Sequence, residues 1–254
     1  MSARIAWERR GTGPAVVLVH GLGYARWGWE PVADALAERF EVVLLDNRGI
    51  GESDAPPGPY TVEEMAGDVL SVIDDAGLGR AHVVGTSLGG MIVQELALSS
   101  PDRCEKLVLV CTTPGGPSAA PMPEATTRLL AEAPTMEPLV ALRRFVENAL
   151  APNPPEELVQ RILAHRLATA QPLVAWMAQA AAGASFDAWD RLPGLSVPTL
   201  VLHGTEDVVV DPANADLLAE RIPGARVERF EGCGHLLFWE EPARFVEAVG
   251  EFLS

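Results

Sequence analysis

Short, almost wholly apolar runs alternate along the chain with longer segments in which apolar residues recur at helical spacing. Six of these runs are predicted to be strands: 15–20 (AVVLVH), 41–46 (EVVLLD), 81–86 (AHVVGT), 106–111 (KLVLVC), 199–204 (TLVLHG) and 226–231 (RVERFE). Most of them are apolar at consecutive positions, which is typical of strands covered on both faces of a parallel sheet. The alternation therefore predicts an α/β fold with a mostly parallel, doubly wound sheet.

Helical periodicity fills most of the intervening sequence. Five helices are predicted around the sheet, at 31–40, 61–76, 88–99, 214–221 and 242–253, and the first three connect consecutive strands. Between about 114 and 193 no strand is predicted, only four helical stretches separated by prolines, at 124–133, 138–150, 155–168 and 172–182. We therefore predict a core domain formed by residues 1–113 and 194–254, with a helical cap insertion at 114–193.

Composition and net charge limit the kinds of molecule that the protein is expected to bind. The 254 residues are 48% hydrophobic and 21% charged, as in an ordinary globular enzyme, and no apolar run approaches the ~20 residues that cross a bilayer. The formal charge of −16 repels phosphate backbones and anionic lipid, so we expect neither nucleic acid nor a membrane as partner. The N-terminal residues lack the apolar segment of a secretory signal, which favours a cytoplasmic location. The sequence leaves the oligomeric state open.

Three cysteines, Cys104, Cys111 and Cys233, have no spacing that indicates a metal site or a disulfide framework. We expect buried thiols without a chemical role. The chain is accordingly predicted to use no metal and no cofactor.

Residues 85–89 (GTSLG) fit the G-x-S-x-G pattern of a nucleophile elbow, a sharp strand-to-helix turn that exposes a serine. Small residues are needed two positions before and after Ser87, because larger side chains would collide with the adjoining strand and helix. The pentapeptide alone fits an ordinary glycine-rich turn equally well. The rest of the chain has to distinguish the two.

Two further polar side chains follow strand ends, Asp207 after TLVLHG and His235 after RVERFE. Ligand sites in open parallel sheets lie at the carboxyl ends of the strands, so we expect both residues near Ser87. The order serine, acid, histidine is that of the hydrolases with a nucleophile elbow. In this prediction Ser87 is the nucleophile, His235 its base, and Asp207 the carboxylate that orients the imidazole.

At this point the chain resembles the α/β-hydrolase superfamily. The matching motifs are HGLG (20–23), DNRGIGES (46–53), GTSLGG (85–90), HGTEDVVV (203–210) and GCGHLLFWEEP (232–242). The resemblance implies the α/β-hydrolase fold with the cap inserted after the sixth strand, and it favours Asp207 over Glu206 and Asp211 as the acid. Haloalkane dehalogenases and epoxide hydrolases look similar elsewhere but use an aspartate nucleophile, so Ser87 argues against both.

The elbow supplies one oxyanion donor, the backbone N–H of Leu88, and the HGLG loop is expected to supply a second, the N–H of Leu22. His20 is expected to support that loop through hydrogen bonding. His203 is expected to pack at its strand end. Asp46 and Arg48 are expected to organise the DNRGIGES loop.

Aromatic residues of the insertion and of the loops after the strands suit an apolar cleft. The candidate substrate contacts are Trp27, Phe145, Trp176 and Phe238. Most such residues could equally form the cap's own core. Five arginines of the insertion include possible partners of a substrate carboxylate, although solvated helix faces are the commoner role: Arg128, Arg143, Arg144, Arg161 and Arg166.

The framework is similar to 3-oxoadipate enol-lactonase-like hydrolases and small bacterial carboxylesterases. It implies a serine hydrolase that cleaves a mainly hydrophobic carboxylic ester or enol-lactone through an acyl-enzyme. Two alternatives stay open: lyase or perhydrolase chemistry at the same three residues, and a small-molecule receptor built on the fold without turnover.

Overall fold

A seven-stranded sheet runs through the centre of the protein in a computed structural model that describes residues 3–169 and 171–254. Its strands are Trp7–Arg10 (β1), Ala15–Val19 (β2), Glu41–Leu45 (β3), Ala81–Thr86 (β4), Cys104–Val110 (β5), Thr199–Gly204 (β6) and Arg226–Phe230 (β7). The spatial order is β1-β3-β2-β4-β5-β6-β7, and all neighbours are parallel except β1, which is antiparallel to β3. The six predicted strands are confirmed; β1 was not predicted because its sequence, WERR, is short and three of its four residues are charged.

Within the described residues, ten α-helices surround and extend the sheet. They are Glu30–Ala37 (α1), Val62–Asp75 (α2), Leu88–Ser99 (α3), Glu124–Glu132 (α4), Pro138–Asn148 (α5), Glu156–Ala168 (α6), Leu173–Ser185 (α7), Ala213–Arg221 (α8), Leu237–Glu240 (α9) and Pro242–Leu253 (α10). The nine predicted helices are all found, with small shifts at their ends. None of the described helices combines the length and apolar content that crossing a bilayer requires.

Two apolar cores lie on opposite faces of the sheet. One contains buried residues of α2, α3 and α8, and the other contains those of α1, α9 and α10. Side chains of β2, such as Val17 and Leu18, point alternately into the two cores. The uniformly apolar strands are thereby explained, because neither face of the sheet is left to water.

Helices α4 to α7 lie between β5 and β6. The preceding strand is KLVLVC, as expected, but it is the fifth strand of this chain and not the sixth. Four strands, β1 to β4, precede it in the part of the chain that the structure describes. Hydrogen bonds from Gly116 N–H to Phe186 O and from Ala188 N–H to Pro114 O join the two ends of the insertion.

The parallel register aligns the carboxyl ends of the strands. Thr86 pairs with Val110, Val110 with Leu202, and Gly204 with Phe230. The segments that follow β4, β6 and β7 therefore leave the sheet at one edge. These segments contain Ser87, Asp207 and His235.

Candidate active site

Ser87 lies in the turn between β4 and α3 with φ 55° and ψ −122°, a conformation that non-glycine residues rarely adopt. Its N–H donates to Val110 O at 2.9 Å, and the Thr112 hydroxyl donates to Ser87 O at 2.7 Å. Strained backbone persists only where the surroundings determine it, and such positions cluster at functional sites. The turn has the geometry expected of a nucleophile elbow.

The small residues around Ser87 are required by close backbone contacts. A Cβ atom on Gly85 would lie 2.3 Å from Gly89 O, and one on Gly89 would lie 2.1 Å from Val19 O. The HGLG loop also passes directly over the serine, since a Cβ on Gly21 would lie 2.8 Å from Ser87 Cβ. The loop that supplies Leu22 is thus next to the nucleophile.

Asp207 and His235 are in hydrogen-bond contact. His235 Nδ1 lies 2.8 Å from Asp207 Oδ2, and the carboxylate has no exposed surface. Its other oxygen, Oδ1, accepts the N–H groups of Val209 at 2.8 Å and Val210 at 3.0 Å. Burial alone would raise the pKa of Asp207, but charge interaction with His235 and the hydrogen bonds from its imidazole partners hold that pKa below its usual value. The carboxylate is therefore ionised at neutral pH.

Backbone contacts fix the loops that hold this pair. Glu206 N–H donates to Cys233 O at 2.9 Å, so the acid loop and the histidine loop touch. Gly234 N–H donates to Glu240 Oε2 at 2.7 Å, and Leu236 N–H donates to Ala149 O at 3.0 Å. The position of His235 thus depends on the start of α9 and on the loop that follows α5.

The structure brings Asp207 and His235 into contact and places Ser87 at the same edge of the sheet, after β4, which is separated from β6 by β5. No hydrogen bond joins Ser87 Oγ to His235 within residues 3–169 and 171–254. In ligand-free sites such contacts are often long and shorten on substrate binding. The rival acids are placed elsewhere: Glu206 is exposed, and Asp211 Oδ1 accepts Ala213 N–H at the start of α8.

The two oxyanion candidates differ in their environment. Leu88 is the first residue of α3, so its N–H has no acceptor inside the helix. Neither Leu88 N–H nor Leu22 N–H donates to a side chain or a loop carbonyl in the described part of the chain. The expectation for His20 is confirmed, since its Nδ1 accepts Gly21 N–H at 2.7 Å. Burial, with the charges of His235 and Arg166 adding to it, holds the pKa of His20 well below its usual value, so the ring stays neutral.

The aromatic candidates fall into two groups. Trp27, Phe145 and Trp176 are half-buried, and Trp27 stacks on His165 with ring centres 4.9 Å apart. Phe238 is fully buried and packs against Trp29 and Phe245 at 4.7 and 5.6 Å. Its ring is part of the apolar core that contains residues of α1, α9 and α10. We therefore leave Phe238 out of the proposed substrate site.

Four of the five cap arginines are paired with carboxylates. The pairs are Arg128 with Glu124, Arg143 with Glu147 and Glu156, Arg144 with Glu132, and Arg161 with Glu30. Arg166 has no carboxylate within 4.0 Å among the residues described. Its guanidinium lies 4.8 Å from the centre of the Tyr24 ring and 3.0 Å from where a Cβ of Gly23 would be. A half-buried cation thus lies beside the HGLG loop.

His203 was expected only to pack at its strand end, and the structure gives it a further contact. Its Nε2 lies 3.1 Å from Asp207 Oδ2, on the oxygen that His235 also contacts. Cys111, His203 and Asp207 place possible metal-ligand atoms within 4.8 Å of one another. The Asp207 oxygens accept three hydrogen bonds and lie beside His203 Nε2, so contacts within the protein satisfy this carboxylate.

Comparison with known proteins gives one family. A family model described as "alpha/beta hydrolase fold" matches residues 14–242. The chain is 36% identical to a 2-hydroxy-6-oxononadienedioate/2-hydroxy-6-oxononatrienedioate hydrolase of Burkholderia vietnamiensis, over 98% of this chain and 91% of the relative. It is 31% identical to a pimeloyl-[acyl-carrier protein] methyl ester esterase of Aeromonas hydrophila, over 98% and 99%. The enol-lactonase from Burkholderia xenovorans superposes with a TM-score of 0.86 at 30% identity, over 99% of this chain and 96% of that one.

Proposed function

Because this chain belongs to the family with the alpha/beta hydrolase fold, we propose that it is a serine hydrolase that cleaves a carboxylic ester or a lactone through an acyl-enzyme. The observation that supports this most is the 2.8 Å contact of His235 with a fully buried Asp207, at the sheet edge where Ser87 lies in a strained turn. The relatives of the chain include an esterase and an enol-lactonase.

In the first half of the proposed reaction Ser87 Oγ attacks the carbonyl carbon while His235 Nε2 takes its proton. Asp207 accepts from His235 Nδ1, which fixes the tautomer with Nε2 free as the base. The carboxylate then stabilises the imidazolium. His235 returns the proton to the leaving alcohol oxygen, and the acyl group remains on Ser87.

Negative charge on the carbonyl oxygen has to be met by donors that are already in place. The N–H groups of Leu88 and Leu22 lie on the two segments that flank Ser87, and each is unengaged as described above. In the second half of the reaction water attacks the acyl carbon, with His235 again accepting the proton. The bond between the acyl carbon and Ser87 Oγ then breaks, His235 returns the proton to Oγ, and the products are the carboxylic acid and the free serine.

The substrate is proposed to contain a carboxylate in addition to the bond that is cleaved. Arg166 lies beside the HGLG loop without a protein carboxylate, whereas the other four cap arginines are paired. A half-buried guanidinium favours a bidentate carboxylate partner. Trp27, Phe145 and Trp176 are proposed to contact the apolar part of the same substrate.

A second candidate reaction is favoured by the Burkholderia vietnamiensis relative, which is named for a 2-hydroxy-6-oxo dienedioate. Such a compound has a ketone and two carboxylates but no ester, so a hydrolase acting on it must break a carbon–carbon bond beside the ketone. The unpaired Arg166 would suit one of the two carboxylates. Attack at a ketone carbon needs the same base and the same oxyanion donors.

Replacement of the nucleophile tests the proposal. With the best of a panel of p-nitrophenyl esters, lactones and a 6-oxo dienedioate, Ser87→Ala is expected to lower kcat by about 10⁴ to 10⁶. Ser71→Ala, a change at an exposed serine on α2, is the matched control and should leave kcat unchanged. A fluorophosphonate should label the wild-type protein at Ser87 and should not label Ser87→Ala. Turnover that survives in Ser87→Ala, or tight ligand binding without any turnover, would contradict the proposal.

A further inference from the structure

His203, the penultimate residue of β6, is fully buried four positions before Asp207. Its Nε2 lies 3.1 Å from Asp207 Oδ2 and 3.1 Å from Val210 O. His235 Nδ1 reaches the same Oδ2 from the other side at 2.8 Å. One carboxylate oxygen is therefore shared by two imidazoles.

The partners of His203 fix where its proton is. A backbone carbonyl such as Val210 O can only accept, and the ionised Asp207 can also only accept, so Nε2 must bear the hydrogen. The hydrogen bond of this N–H goes to Val210 O, and Asp207 Oδ2 lies at the same distance of 3.1 Å from Nε2. Nδ1 of His203 is buried and has no hydrogen-bond partner among the described residues. Protonating Nδ1 would place an unpaired N–H in the interior, so the ring is a neutral, fixed donor.

The second donor changes what Asp207 offers His235. With Val209 and Val210 N–H on Oδ1 and two imidazoles on Oδ2, each donor takes part of the carboxylate's negative charge. A carboxylate with fewer donors holds a neighbouring imidazolium proton more strongly. His203 also fixes the carboxylate plane that directs Oδ2 at His235 Nδ1.

We propose that His203 is a positioning residue, which holds the Asp207 carboxylate in the plane needed by His235 and limits how strongly that carboxylate retains the His235 proton. The proposal rests on the proposed function, in which His235 is the general base. It adds a residue beyond Ser87, Asp207 and His235 that acts on the base through another side chain.

Other ionisable groups face this pair from the surrounding elements. Cys111 follows β5, and its Sγ lies 3.9 Å from Gly234 O; burial raises the pKa of this thiol well above its usual value. Glu240 on α9 accepts the N–H groups of Ala151 and Gly234, and burial raises the pKa of its carboxyl. The charges of His235 and Arg166 both act on His20. The variants of His203 leave these four side chains in place.

The test removes the donor and then restores it. His203→Leu and His203→Met fill the buried space without an N–H, whereas His203→Gln has an amide that donates two hydrogens from nearly the same position. The pH dependence of kcat/KM is measured for each. In the Leu and Met variants we expect the acidic limb to move to higher pH by about 0.5 to 1 unit, since the His235 imidazolium persists longer. The Gln variant should follow the wild-type profile.

A residue with only a packing role would lower stability or the amount of active protein without moving the limb, so an unmoved limb in Leu and Met overturns the proposal. A Gln variant that shifts as far as Leu does so as well. If neither apolar variant folds, the ¹⁵N signals of the wild-type imidazoles decide. At neutral pH His203 should be in the Nε2–H form, and an Nδ1–H form would refute the assignment. This spectroscopic result does not depend on Ser87 turnover, so failure of the proposed function is recognised separately.

Discussion

Gly89 is the residue on which the turn at Ser87 depends most. Its α-carbon approaches Val19 so closely that a methyl group would lie 2.1 Å from the carbonyl oxygen, and the obstacle is backbone that cannot rotate away. The turn connects β4 to α3, so relief of this clash would displace the helix from the sheet. Glycine at this position is therefore required by packing.

Replacement of Gly89 by alanine is expected to destabilise the protein by more than about 3 kcal/mol, because backbone must move to accept the methyl group. The matched control is Gly79→Ala, where nothing lies within 4 Å of the added carbon and the free energy of unfolding should change by less than about 0.5 kcal/mol. Urea denaturation followed by circular dichroism measures both. Equal stability of the two variants would show that the elbow tolerates a side chain.

Asp207 links the site to the pH dependence of stability. Its pKa is lower in the folded protein than the ordinary value of about 3.9, so its contribution is present above that value and is lost as the pH falls through the folded-state pKa. The difference in unfolding free energy between the wild type and Asp207→Asn should shrink as the pH falls from about 5 to about 3, because the ionised carboxylate is then being lost. Denaturant titrations from pH 3 to 7 measure it. A difference that grows in acid would mean that the carboxyl is not ionised at neutral pH.

At the residue level, the sequence predicted spatial closeness where a motif and its position at a strand end coincide. Asp207 and His235 belong to such motifs, and the structure places them in contact. His203 was missed because its bond depends on how the chain bends between β6 and Asp207, which no side-chain pattern records. Phe238 was predicted to contact substrate, but its side chain is buried in the core. The sequence near His235 does not distinguish an aromatic side chain that faces a cleft from one that faces the core.

Among the elements, the loop after β3 is joined to α2 by a nearly buried ion pair. Arg48 Nε lies 2.6 Å from Asp68 Oδ2, and Nη2 lies 2.9 Å from Oδ1. Burial raises the pKa of the Asp68 carboxyl, although the guanidinium acts in the opposite direction. The Arg48 carbonyl also accepts from the amide of Gln179 on α7 at 2.7 Å. The loop thus contacts both α2 and α7, which confirms the structural role expected of Arg48.

Breaking this pair from one side should be costlier than removing both partners. Arg48→Met leaves a buried carboxylate without its cation and is expected to lower the unfolding free energy by about 3 kcal/mol at pH 7. Since the pKa of Asp68 would rise further, the loss should be smaller at pH 5, where the folded variant binds a proton more readily than the unfolded chain does. Arg48→Met combined with Asp68→Leu should recover most of the stability. A double variant as unstable as the single one would contradict this reasoning.

Element boundaries were predictable where the apolar period was regular. Helices α3 and α10 begin and end at the predicted residues. Helix α2 is shorter by one residue at each end, since Thr61 is its N-cap and forms a capping box with Glu64, and Ala76 is its C-cap. Strand β1 and the short α9 were not predicted, since four residues do not establish a period. Pairing with β3 determines the place of β1, and contact with the loop that contains His235 determines the place of α9.

At the scale of the whole molecule, the charge of −16 opposes the approach of the substrate that Arg166 is proposed to bind. Long-range repulsion of this kind acts on every anion and is screened by salt, with a Debye length of about 10 Å at 0.1 M. Contact with a half-buried guanidinium is screened much less. The two effects therefore separate in their dependence on ionic strength.

For an ester that bears a terminal carboxylate, kcat/KM is expected to rise by roughly two- to tenfold when the ionic strength is raised from about 0.01 to 0.2 M, because screening weakens the repulsion. An uncharged ester of the same length should show no such rise. Arg166→Met should lower kcat/KM for the charged ester by about tenfold or more at every ionic strength, which is the usual effect of losing a charged hydrogen bond, and should leave the uncharged ester unaffected. Arg128→Met, a change at an exposed arginine paired with Glu124, is the matched control and should affect neither ester. If Arg166→Met lowers kcat/KM for both esters equally, the guanidinium supports the HGLG loop through Tyr24 and does not bind the substrate carboxylate.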